Sequence, residues 1–398
     1  IGAPLFADVY LERIELTFYV LYSFLMTAKT IPEDKLVKIL IQLMDMMKAK
    51  EINFLENVPH SKKSNYFRPL MRSVLIVLSL VKSGTHFIEL VSDQLLEFFE
   101  LTFSRGVNLV LSEILSEINT SSSNAKTGTL VNIADRVQDL LLLLSLFTKI
   151  KQMKPPSSFS MVLASSLNEV GTLKAILNLY SSSHLFKLNE EPILADITLT
   201  YISELSSVDY VAEKLVTNGL FSVLLESPIS VAIQSGNLKP EFHPRIHSIW
   251  SNGLLSIILQ LISQFGSKIL PECCLFVTYF SRQLSSTIFG WSDSSLAVSN
   301  AVVQETSQII LLQKMLGALD YQQFLTNSNV KTKVINDTEV VELVPGLDTN
   351  AERRELSAVF NHLLTHPKFL NSRIVPTTLE EQRLLEDDEM RVAFVKKI

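Results

Sequence analysis

Glycine is scarce in this chain, with 12 in 398 residues, against a usual level of roughly 7%. Strands joined by tight turns draw on glycine because it alone reaches positive φ without strain, and helices need far less of it. The closest two, Gly253 and Gly266, lie 13 positions apart. The phosphate-binding loop, the dinucleotide fingerprint and the GxSxG nucleophile elbow all require closely spaced glycines and are excluded. Cysteine is scarcer still. Cys273 and Cys274 are adjacent, cannot staple distant segments, and point to a reducing compartment, cytosol or nucleus. Charge is also thin, at 19% of residues with a net of −6, which argues against a broad nucleic-acid or anionic-membrane surface. A first residue of Ile1 rather than Met reads as a piece of a longer protein, with any targeting signal out of view.

Apolar residues are abundant instead, at 47%, and they organise around Pro240–Gly266. Between Arg245 and Lys268 no residue is charged if His247 is neutral. Ile246, Ile249, Trp250, Leu254, Ile257, Leu261 and Phe265 fall at helical spacing, and Leu255, Ile258, Leu259 and Ile262 fill a second flank. A helix apolar around most of its girth must be covered around most of its girth, so this one is expected to be packed on two sides. Its length touches the membrane-span threshold. Ser248, Ser251, Asn252, Ser256, Gln260, Ser263 and Gln264 dilute it, which favours a buried core helix.

Helical periodicity runs through the rest. Expected helices include 8–29, one opened by a capping box at Thr30-Ile31-Pro32-Glu33, 65–82 closed by Gly84, 86–103 closed by Gly106, and 107–118. Others are 130–153, 161–170, 173–180, 190–205, 208–217, 270–289 and 293–319. A polar break spans 326–350, in which Glu339–Val344 reads as a short strand or one helical turn. Helices over 351–364 and from Thr377, with a second capping box at Thr377-Thr378-Leu379-Glu380, close the chain. About 17 helices give a helix pair roughly every 47 residues, near the period of HEAT and armadillo repeats. The expected fold is therefore all-α, a single superhelical α-solenoid of stacked antiparallel helix pairs over 1–398; a globular many-helix bundle is the alternative.

Candidate chemistry is sparse. His243/His247 and His362/His366 have the i, i+4 spacing of a helical zinc site. Leu363 stands where a catalytic Glu would be needed, and prolines place members of each pair at helix ends. The acidic run Glu386-Asp387-Asp388-Glu389 lacks a second ligand cluster and reads as a solvated helix face. The run Lys62–Arg68, bases beside Tyr66 and Phe67, is a single short patch in an acidic chain. No catalytic, cofactor-binding or metal-binding residue is expected. An all-helical enzyme stays open only if carboxylates or histidines converge in a deep pocket.

The pattern Ile246, His247, Ile249, Trp250, Gly253, Leu254 and Leu255, followed by an apolar helix and the aromatic-rich stretch from Ile269 to Leu284, resembles the C-terminal region of the very large inner-ring scaffold nucleoporins. It is most similar to the nucleoporin one-eighty-eight family, with its sister, the nucleoporin one-ninety-two family, second. The resemblance implies a non-enzymatic scaffold of the nuclear pore complex at the nuclear envelope, with a solenoid tail that captures a short helix of a linker nucleoporin. Other scaffold and linker nucleoporins would be its partners, with weak contact to transport receptors or FG segments, and no nucleic acid or membrane span. Helix-in-groove recognition needs an uncovered apolar face, and a terminal repeat has one. Phe360, Leu363, Leu364, Phe369, Leu384, Leu385 and Phe394 are the candidate lining. A karyopherin-like receptor or other HEAT-type cytosolic adaptor is the alternative; its regularly placed inner acids are missing here.

Overall fold

Apolar side chains at helical spacing carry almost all of the described structure into helices. The computed structural model of the chain describes residues 3–27, 31–48, 67–81, 84–121, 127–187, 191–293, 295–328, 333–335, 338–340 and 350–397. Contacts divide it into two units, Ile1–Leu185 with Ser207–Asn218, and Phe186–Ser206 with Gly219–Ile398.

The first unit holds α1 (Ala3–Thr27), α2 (Glu33–Lys48), α3 (Phe67–Leu80), α4 (Gly84–Phe99), α5 (Val107–Ser121), α6 (Thr127–Gln152), α7 (Ser157–Glu169) and α8 (Thr172–Ser182). After α9 (Ile193–Ser206), which belongs to the second unit, the chain returns as α10 (Asp209–Thr217). Helix α3 packs on α1, α2 and α6; α5 packs on α6 and α8; α7 packs on α8 and α10. Each helix thus leans mainly on near neighbours in sequence, the contact pattern of a helical repeat stack. Phe98, Phe99, Phe103, Phe147 and Phe159 form its aromatic core, with Phe103 stacked on Phe147 at 4.8 Å. Asp139 is buried and holds two cations, accepting from Arg68 Nε and, at 3.2 Å, from Arg136 Nη1. Arg136 also reaches Glu113 at 3.0 Å. Arg68 therefore faces inward; residues 62–66 of the same basic run lie outside the described residues.

The second unit continues with α11 (Leu220–Glu226), α12 (Pro228–Gln234), α13 (Pro244–Ser248), a π-helical turn (Ile249–Leu255), α14 (Ser256–Phe265), α15 (Leu270–Tyr279), α16 (Ser281–Gly290), α17 (Asn300–Ala318) and α18 (Tyr321–Asn327). Strands β1 (Lys333–Ile335) and β2 (Thr338–Val340) pair antiparallel. Helices α19 (Asn350–Thr365), α20 (Pro367–Arg373), α21 (Leu379–Glu386) and α22 (Asp388–Lys397) end it. As its two apolar flanks require, the 244–265 helix is sandwiched, meeting α9 and α17. Ile249, Trp250, Leu254, Leu255, Ile257, Ile258 and Leu261 are completely buried. Gly253 permits the close approach to α9, since a Cβ there would sit 2.5 Å from Leu199 Cδ1.

Several expected boundaries move. Gly106 does not end a helix: it is buried inside a π-helical turn, Glu100–Gly106, that joins α4 directly to α5. The stretch expected as one helix over 270–289 is two, because the chain breaks at Phe280 (φ −96°, ψ 14°). That break sets the Phe280 ring 5.0 Å from Trp250 and 4.7 Å from Phe276. Helix α17 starts at Asn300 rather than Asp293, capped by Ser299, whose Oγ accepts from Val302 N. Near the end, the capping box is shifted by one residue. Thr378 Oγ1 accepts from Glu381 N, and Glu381 returns a carboxylate to Thr377 N at 2.8 Å. The final helix is interrupted at Asp387, which is extended and accepts from Met390 N at the start of α22. The Thr30 box lies outside the described residues, as does 341–349, so the expected strand at 339–344 is seen only through Val340.

Candidate functional site

A buried carboxylate fixes one wall of the site. Glu305 on α17 is only 2% exposed, and an isolated charge at that depth costs several kcal/mol unless it is fully hydrogen-bonded. Its Oε1 accepts from Trp250 Nε1 at 2.6 Å, Thr287 Oγ1 at 2.7 Å and Gln283 Nε2 at 3.0 Å. Its Oε2 lies 2.8 Å from His247 Nε2. Three segments are thereby tied to α17: α13, the π-helical turn and α16. The His-x-x-Trp spacing, which carried the resemblance, presents both donors to this one carboxylate.

A second anchor fixes the opposite wall. Arg373, at the end of α20, donates to Leu296 O at 2.8 Å and Asp293 O at 3.0 Å. Burial lowers its pKa, with the Asp293 charge acting in the other direction. Beside it, Val298 N donates to Arg373 O and Val375 N to Val298 O, a one-residue parallel bridge. Residues 295–299, held this way, set the tail helices against α17.

Between these walls runs an apolar groove of about 670 Å³. Val303, Thr306, Ser307 and Ile310 line it from α17, and Phe360, Leu363 and Leu364 from α19. Trp291, Val298, Leu370 and Val395 complete it. Trp291 Nε1 donates to Thr306 Oγ1 at 2.8 Å, and Phe360 packs edge-on against the indole at 4.8 Å. Leu364 is 73% exposed.

Of the seven residues singled out from sequence, Phe360, Leu363 and Leu364 meet in this groove. Four do not line it. Phe369 packs on the Arg373 guanidinium and the His362 ring. Phe394 is buried, and Leu384 and Leu385 are half-buried. Sequence reasoning passed over Trp291 and Ile310. A signal for the second existed: Ile309, Ile310, Leu311 and Leu312 are consecutive, and no helix buries four successive residues on one face. Ile309 and Leu312 are buried, which turns Ile310 and Leu311 outward.

Convergent catalytic chemistry is not found here. His247 is spent on Glu305, while His243 stands at the N-cap position of α13 with no side-chain capping bond. The His362 and His366 rings lie 4.2 Å apart, but among the described residues no three His, Cys, Asp or Glu side chains gather as a metal site. Cys273 is buried, and desolvation pushes its thiol up to about 12, the opposite of a reactive cysteine.

The family described as nuclear pore protein NUP188 C-terminal domain matches residues 39–394. The chain belongs to the NUP188 C-terminal domain family. Nucleoporin NUP188 of Saccharomyces cerevisiae is 57% identical over 399 residues, covering 99% of this chain and 24% of that protein. Nucleoporin nup184 of Schizosaccharomyces pombe is 28% identical over 178 residues, 45% of this chain and 11% of its own length. The chain thus spans about a quarter or less of these relatives. Among solved structures, the Nup188 fragment aa1445-1827 from Myceliophthora thermophila superposes with a TM-score of 0.55 at 20% identity, covering 90% of this chain and 96% of that one. The fold class is the all-α solenoid expected from sequence, and the resemblance to the nucleoporin one-eighty-eight family holds, with its nuclear-envelope location.

Proposed function

We propose that the chain is a non-enzymatic part of the nuclear pore scaffold, and that its final helices capture a short helix of a linker nucleoporin in the α17–α19 groove. The groove itself carries this reading. It is apolar, it is flanked by two helix faces, and it leaves Leu364 exposed beside the buried Leu363 and the half-buried Phe360. A third helix with apolar residues at i, i+3 or i+4, and i+7 would complete the layer, as helix-in-groove complexes do. Support for the scaffold role comes from family membership, and from a site whose polar groups are consumed in holding walls together. Membership in a nuclear pore family likewise does not favour the transport-receptor or cytosolic-adaptor reading.

One helical run, Pro244–Tyr279, is long and apolar enough to cross a membrane. We read it as a core element, because the buried face of 249–262 packs on α9 and α17, and Phe276 stacks on Trp250, rather than being left for lipid. The test of capture is equilibrium binding of linker-nucleoporin segments to the 398-residue chain, followed by circular dichroism. Binding with a gain of helicity is the expected result. Failure of every helix-forming segment to bind would contradict the proposal.

A further inference from the structure

The positions one turn from the groove's wall residues on α17, α19, α20 and α22 include basic side chains and no carboxylate. Positions three or four residues from a wall residue share its helix face. On α17, Ile310 is followed one turn later by Lys314; on α22, Val395 is preceded one turn earlier by Arg391. Leu370 is flanked at the same spacing by His366 and Arg373. Among the described residues no Asp or Glu occupies such a position on α17, α19, α20 or α22, although the chain as a whole carries a net charge of −6. Arg373 is committed to the carbonyls of Leu296 and Asp293. Lys314 and Arg391 are exposed, and their side chains form no ion pair among the described residues.

We propose that the groove takes an amphipathic helix whose apolar stripe is flanked by carboxylates, facing Lys314 on one lip and Arg391 on the other. This rests on the helix-capture reading above and adds the partner's charge pattern to it. Apolar burial supplies most of the affinity of such a complex. Complementary lip charges set orientation, reject basic competitors and raise the association rate, all of it sensitive to salt.

The probe is a set of three fluorescein-labelled peptides of about 18 residues, long enough for a nascent helix. They share Leu or Phe at i, i+4, i+7 and i+11 and carry Glu, Gln or Lys at the flanking positions. Fluorescence anisotropy with the 398-residue chain should give the Glu peptide about ten-fold tighter binding than the Gln peptide in about 50 mM salt, a gap that closes near 0.5 M. The Lys314→Glu/Arg391→Glu double variant, both sites being exposed, should reverse the preference toward the Lys peptide. Equal binding of Glu and Gln peptides, each still abolished by Leu364→Asp, would overturn the charge inference and leave helix capture standing. Binding by none of the peptides, or binding indifferent to Leu364→Asp, would overturn both.

Discussion

Glu305 concentrates the energetics of the second unit in one side chain. Its two oxygens meet four polar groups from three other segments, so removing it strands a buried indole N–H and a buried amide. Glu305→Ala is expected to destabilise the unit by about 3–5 kcal/mol, the range for breaking a buried charged network. Glu305→Gln keeps an acceptor for Trp250, and His247 can present its unprotonated nitrogen to the new amide, so its loss should be less than half as large. Urea unfolding of the two variants checks this, and equal losses would show that the network is not held by its acceptor. Cys273 gives a pH signature. Its folded pKa, raised by burial to about 12 from 9.0, means the folded state holds the proton that the unfolded state releases. Stability is then fully present below pH 9 and falls as pH rises from there toward 12. Cys273→Ala should flatten part of that decline in thermal scans, the remainder including buried Tyr321, whose phenol is also raised.

Elements were legible in the sequence where periodicity is long, and illegible where a tertiary contact decides. The sandwiched helix was read correctly because eleven apolar residues on two flanks admit only a covered position. Breaks at Phe280 and Asp387 have no local breaker; the first exists because the ring is drawn into the Trp250 cluster, the second because Asp387 caps α22. Gly106 misled for the same reason in reverse, since a buried π-helical turn absorbs it. The helix α20 was missed, and with it the anchor that forms the groove's far wall. Arg373→Ala should release that anchor: hydrogen exchange is expected to rise at 295–298 and 370–375 while α13 and α14 stay protected. Uniform protection, or a rise spread over the whole second unit, would contradict a local role.

At the scale of the whole molecule, the chain is a helical member of the NUP188 C-terminal domain family, and the role we propose for its groove is to hold another protein's helix. Three of the seven candidate residues, Phe360, Leu363 and Leu364, line the groove from α19. Leu384, Leu385, Phe369 and Phe394 were indistinguishable from them by composition, and only the placement of α20 to α22 separates the two sets. The direct measurement is calorimetric titration of a linker-nucleoporin helix into the chain, into Leu364→Asp and into Leu384→Asp. Leu364 is exposed inside the groove and Leu384 lies outside it, so a charge at the first should weaken binding at least about ten-fold, equivalent to about 1.4 kcal/mol, with the second within about two-fold of the parent. Unchanged binding by Leu364→Asp, or a larger loss at Leu384, would contradict the account.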